Sequence, residues 1–501
     1  MEWVADIRVS RDVARLEEKL DSMAAAFTAQ TPLSLSTQLS PEGRTRDLNC
    51  LLGDDLLPSS TEAQILLTTF QTELSPYFPF IAIPMGTSMA ELQTTKPFLF
   101  STIVMVSCVT DADRQLATTQ KIREYIGTSI ISRGERSLDL LQGLLVCLAW
   151  YHFQLDLGSQ FLGFLHLALA IVTDLGLTRK SGVIRMVSLH GSRIDPSRQQ
   201  DGDRMLEERR AYLGCFYISH VASLFTDEMD PMRYTSYTEE CCRVLESVGG
   251  STDLYLIRLV RLHQMAERIS RMLSLEEYAI RGSCSTPLST RIETLETELR
   301  RMKQALPPHN LHDSILQLHY LGLEIKLYSI SLEDDFPRHD SNPSIRFDLL
   351  SSCLNATKVF LDLFSDIPAR NYLNLPYPAY AVCCFVLGML SNLLLFTGER
   401  WDTGYGRSTL DLGGVIDTIV AQIDDASRNR HGQHLYQFPA TLVKIIPRLR
   451  AIEEAHTAKR AAQIETTIQR HARVGPDPAD DDPRDLMFPL PHGFSWRFLQ
   501  S

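Results

Sequence analysis

The chain has 501 residues, a formal net charge of −12 and 44% hydrophobic residues, enough to bury one or two large cores without disulfides or structural metals. A chain this acidic has no broad attraction for phosphate backbones, which disfavours direct DNA binding by these residues. Its ten cysteines, including the vicinal pairs Cys241–Cys242 and Cys383–Cys384, sit mostly among apolar residues, and nothing near Met1 resembles a secretion signal; reduced, buried thiols in an intracellular protein are expected.

The first element in the chain is a heptad segment. Val9, Val13, Leu16, Leu20, Met23 and Phe27 alternate four- and three-residue steps, the a/d spacing that buries a seam between helices, so residues 1–27 are expected to form a short coiled-coil dimerisation helix. At about two and a half heptads it is near the lower limit for independent association. Asp12 falls at g and Glu17 at the following e, which opposes like charges in a parallel homodimer; docking on the chain's own domain is the competing expectation.

Residues 28–58, rich in Thr, Ser, Gln, Leu and Pro without a sustained period, read as a linker. A helical domain is expected over 59–471. Ser59, Ser60, Thr61 and Glu62 have capping-box spacing, and Ala63, Leu66, Leu67, Phe70 and Leu74 mark one helical face behind them. Residues 77–84 cannot be helical throughout, because Pro79 and Pro84 remove donors and constrain their predecessors; they read as an extended strap. Helical runs follow at 116–131, 138–153 and 161–175, the last with Gly176 placed to stop it. Residues 178–204 are polar and broken by Gly182, Gly191, Pro196 and Gly202, as in a long surface loop.

Further helices are read at 207–224, 254–279, 291–305, 315–332, 351–363, 379–396, 415–426 and 441–471, and period-two alternation is almost absent. The fold class is therefore all-α, a large multi-helical domain preceded by a short coiled-coil helix. No charge lies between Arg370 and Glu399, so 379–396 is long and apolar enough to be weighed as a membrane span. Pro376 and Pro378 suit a helix start, whereas Gly388, Ser391 and Asn392 would suit lipid poorly. A central helix of the domain, with no membrane partner, is the expectation.

Four stretches, SLDLLQGLLVCLAWYHFQ (137–154), LALAIVTDLGLTRK (167–180), EERRAYLGCFYISH (207–220) and RYTSYTEECCRVLE (233–246), are together similar to the regulatory, or middle homology, domain of fungal zinc binuclear-cluster transcription factors. FQTELSPYFPFIAIP (70–84) and KPFLFSTIVMVSC (96–108) look like its beginning, and the resemblance is clear from about 60 to 246 and faint thereafter. It implies a nuclear transcriptional regulator, not an enzyme, controlling a metabolic or biosynthetic gene set. In that family a coiled-coil helix follows the zinc cluster, and VARLEEKLDSM (13–23) looks like that helix. Expected partners are a second subunit, through homo- or heterodimerisation, and the transcription machinery.

The family reads DNA with six cysteines that hold two zinc ions. No CxxC occurs here and the first cysteine is Cys50, so neither the zinc nor the DNA-reading module carries over, and DNA is a partner only if an upstream cluster exists. Three explanations stay open: a coding sequence truncated at its start, a DNA-binding-deficient regulator that titrates a full-length partner, and a helical small-molecule sensor. No cofactor is expected. His309/His312 and His431/His434 lie beside loop signals without the acid of HExxH and read as surface or capping residues. GxSxG, GxGxxG and GxxxxGK[ST] patterns are absent. A helical lyase or cyclase would need paired carboxylate motifs, and Asp334–Asp335, followed closely by Pro337, has no second motif to match. Glu207, Glu208, Arg209 and Arg210 read as a charge ladder that stabilises a helix start.

In the tail, 472–501, Asp477, Asp480, Asp481, Asp482 and Asp485 precede Leu486, Met487, Phe488, Leu490, Phe494, Trp496 and Phe498. Acidic residues that keep apolar ones solvated have the composition of an activation segment, with Phe488, Phe494 and Trp496 as its anchors; a strap packed on the helical domain is the alternative.

Overall fold

The computed structural model describes residues 52–428 apart from 54, 109–110, 158–159, 179–201, 225–228, 249, 274–286, 307–310, 334–335, 337–342, 397–400 and 402–409, together with scattered helical positions between 450 and 465. The expected coiled-coil seam (Val9, Val13, Leu16, Leu20, Met23, Phe27), most of the linker and of the 178–204 loop, and the tail anchors Phe488, Phe494 and Trp496 lie outside the described residues.

Helix α1 (Ser60–Thr69) begins where its cap predicts, with the Ser59 hydroxyl accepting the Glu62 amide at 3.3 Å. The other half of the capping box is not made, because the Glu62 carboxylate reaches across to Arg114 at 2.5 Å. Ala63, Leu66, Leu67, Phe70 and Leu74 are all buried. The following segment is not helical beyond Tyr77, and Phe78, Phe80 and Ile81 are wholly buried. Side chains replace the hydrogen bonds that regular structure would supply there: Gln71 donates to the Pro84 carbonyl at 2.8 Å and Ser75 to that of Ile81 at 3.0 Å.

Fourteen further helices follow among the described residues. These are α2 (Met89–Thr95), α3 (Pro97–Ser107), α4 (Ala112–Ile126), α5 (Leu138–Ala149), α6 (Phe161–Asp174), α7 (Gly202–Ala222), α8 (Ser236–Val248) and α9 (Ser251–Leu273). Then come α10 (Leu288–Gln304), α11 (Leu311–Tyr328), α12 (Pro343–Ser365), the single-turn α13 (Ala369–Tyr372), α14 (Tyr377–Leu395) and α15 (Leu412–Arg428). The described residues include no β-strand, in keeping with the missing period-two pattern. Gly176 ends α6 with φ of 70°, and its amide and that of Leu177 bond to Thr173 and Val172 at 3.0 Å each, a Schellman closure that only a residue tolerant of left-handed φ makes without strain. Helices α2, α3, α8 and α13 have no counterpart in the sequence reading, and α7 begins at Gly202, inside the expected loop.

The most extensive helix pairing among the described residues is α3 on α5. A Cβ at Gly143 of α5 would stand 2.3 Å from the Phe98 ring, so only glycine permits this approach. Helix α3 lacks a side-chain cap of its own at Lys96, and Asp139 of α5 supplies it in trans, accepting the Phe98 amide at 3.1 Å and the Leu99 amide at 2.8 Å. Burial pushes the Asp139 carboxyl up to about 6, opposed by those two amides and the Lys96 ammonium.

Helix α14, with mean hydropathy 1.8, is long and apolar enough to cross a membrane, but 78% of that window is buried inside the unit. It packs on α5, α7, α11, α12 and α15, as the core helix expected. Asp139→Ala should leave two buried amides unpartnered and cost about 2–4 kcal/mol in urea unfolding, and Gly143→Ala about 1–3 kcal/mol through overpacking.

Candidate regulatory core

The stretches that carry the family resemblance converge on α7. Every residue from 211 to 222 on this helix is buried, and α5, α6, α8, α9 and α14 surround it. Such a helix must find internal partners for its polar side chains. At its start, Glu207 reaches Lys96 at 2.6 Å, and the Arg210 guanidinium grips Asp253 of α9 with two bonds of 2.8 and 2.9 Å. Asp253 is only 3% exposed. The expected ladder is thus corrected: Arg204 and Glu208 pair along the helix, but Glu207 and Arg210 reach other helices. Folding brings Lys96 and Asp253 close enough to offer stronger, less solvated partners.

Midway along α7, Tyr212 shares a 2.9 Å hydrogen bond with Thr238, whose hydroxyl also accepts the Thr235 amide at 3.1 Å where α8 begins. Near the end of α7, Ser219 accepts the Met232 amide at 3.1 Å while His220 Nε2 donates to the Met232 carbonyl at 2.9 Å. That clasp fixes the connection into α8. Tyr234 then donates to Glu239 at 2.5 Å, and Arg261 of α9 holds the same carboxylate through bonds of 2.5 and 2.8 Å. The guanidinium, with the Tyr234 hydroxyl, lowers the Glu239 carboxyl to about 2.

Tyr217 forms the centre. Its hydroxyl is 2.9 Å from His319 Nε2 of α11, and its ring meets His263 of α9 edge-on at 4.9 Å. The His263 ring lies 5.2 Å from His319 and 6.1 Å from His220. Neither ring nitrogen of His263 has a hydrogen-bond partner among the described residues. Burial lowers His220 to about 4 and His319 to about 4, and burial together with the two neighbouring rings drives His263 well below its ordinary value. All three are neutral at physiological pH. His152, equally buried after α5, is lowered to about 3.

This cluster was missed in the sequence. Its histidines come from three helices far apart in the chain, and the available signal was a lone histidine within an apolar run, as in ISHVA, RLHQM and QLHYL. None of the three belongs to an HxxH pair; His309, His431 and His434 lie outside the described residues, as do Asp334 and Asp335. Among the described residues no group of three or more His, Cys, Asp or Glu is placed to hold a metal ion. Cys241 and Cys242 are buried free thiols raised to about 12 and about 11 by burial, protonated and unreactive as expected. A groove of about 400 Å³ between α12 and α15 is lined by Lys358, Asp362 and Asp411 among uncharged residues and includes none of these histidines.

A family model described as the WAR1 C-terminal domain matches residues 53–394. The transcription factor opdL of Penicillium oxalicum is 29% identical over 438 residues, covering 83% of this chain and 76% of that protein. The transcription factor himD of Aspergillus japonicus is 28% identical over 403 residues, 78% of this chain and 65% of the relative. The transcriptional regulator WAR1 of Candida albicans is 22% identical over 393 residues, and the chain spans 40% of its length. No solved structure matches the chain significantly.

Arg210→Ala should strand the buried Asp253 carboxylate and cost about 3–5 kcal/mol in chemical denaturation, whereas replacing the pair by Met and Leu should be nearly neutral.

Proposed function

The chain belongs to the WAR1 C-terminal domain family, and from that membership we propose that it is a fungal-type transcriptional regulator whose helical unit is the regulatory module. The observation that carries this reading is the match over 53–394, joined to relatives named transcription factors that align with most of the chain. The protein acts in the nucleus, without chemistry of its own, on a metabolic or biosynthetic gene set. Val9, Val13, Leu16, Leu20, Met23 and Phe27 form the seam for a second subunit, and the apolar positions of the tail, Phe488, Phe494 and Trp496, meet the transcription machinery.

These residues hold no CxxC and are acidic, so the protein works on DNA through a zinc cluster outside them, such as that of a full-length partner. Titration of such a partner remains the second reading, favoured by the same missing cysteines.

Fusing residues 480–498 to a heterologous DNA-binding module should raise reporter transcription, and alanine at Phe488, Phe494 and Trp496 should abolish it; a silent fusion would retire the activation segment. Changing Leu16 and Leu20 to lysine should convert a dimer to a monomer in light scattering with the helical circular dichroism unchanged, because charges buried in so short a seam cost several kcal/mol. An unchanged mass would place the interface elsewhere.

A further inference from the structure

We propose that the His220–His263–His319 cluster is a proton-responsive joint, at which acidification favours separation of α9 from α7 and α11. The inference rests on the cluster's geometry and stands apart from the proposed function.

Three neutral rings and Tyr217 fill the seam and are shielded from solvent: His220 is 1% exposed, His263 2% and His319 4%. A proton placed on any one ring would lie within 5.2–6.1 Å of another ring in a dry interior. The groups facing His263 are Tyr217 and His220 from α7 and His319 from α11, with Tyr255 on α9 itself near Tyr217. The carboxylate that acts on His220 is Glu267, which already accepts the Tyr234 amide at 2.9 Å. Elsewhere on α9, Asp253 pairs with Arg210 of α7, Arg261 with Glu239 of α8, Arg268 with Glu298 of α10 and Arg271 with Glu267 along the helix. Helix α14, which also packs on α7 and α11, has no charged residue. Between pH 7 and pH 6 a proton is therefore accepted when the seam opens to water.

The direction follows from linkage. The closed seam holds neutral rings and the open one exposes rings of ordinary pKa, about 6.5. Closure is fully favoured above that value and lost as pH falls through it. Each histidine released raises the open-to-closed ratio about threefold between pH 7 and pH 6, and the three together about thirtyfold.

Amide hydrogen exchange of the full chain at pH 7 and pH 6, each rate divided by the intrinsic rate at that pH, tests the proposal. Opening of α9 and of the adjoining end of α7 should rise about thirtyfold, while α3, which has no histidine, should change less than about threefold. His263→Leu should reduce the rise in α9 to about tenfold. If that variant does not fold, His319→Gln, which keeps an acceptor for Tyr217, should give the same reduction. A uniform change across the chain, or a rise unaltered by either substitution, would overturn the proposal.

Discussion

A helix buried on every side has no solvent to satisfy its polar side chains, and α7 over 211–222 is such a helix. The core around it is organised by that constraint. Tyr212 draws in Thr238, Ser219 and His220 clasp Met232, and Tyr217 draws in His319. Each of these bonds ties α7 to a different neighbour, so the positions of α8, the connection before it and α11 are set by hydrogen bonding as well as by apolar packing. Apolar burial supplies most of the driving force, but it is non-directional and would leave the neighbours free to slide.

The remaining constraints act in the same sense. Arg210–Asp253, Arg261–Glu239 and Arg268–Glu298 hold α9 to three helices along its length, and Asp139 with Gly143 locks α3 to α5. Where α9 meets the core at His263, both ring nitrogens lack hydrogen-bond partners among the described residues. A regulatory domain needs an element that can adopt two arrangements, and the seam at His263 is the one proposed for it.

Much of the fold was legible because it depends on local periodicity. The Ser59 cap, the face of α1 and the Gly176 stop were read from neighbouring residues, and the core role of α14 from its composition and small polar group. The segment of α8 was quoted for its resemblance and not read as a helix, since its polar first turn hides a face formed by Thr238, Cys241, Cys242 and Leu245. Long-range partners were not legible. Glu62 has a cap within reach and chooses Arg114, Glu207 chooses Lys96, and Asp139 caps a helix to which it does not belong. The histidine cluster is the extreme case, because no spacing within one segment brings together residues from α7, α9 and α11.

The central claim is that the core joint is built from neutral histidines kept from water. Imidazole nitrogen NMR of the histidine-labelled protein, with His220, His263 and His319 assigned by substitution, measures this directly. The rings should remain neutral and in fixed tautomers at pH 6, with no midpoint above about 5. Ordinary titration of all three between pH 6 and pH 7 would contradict the account.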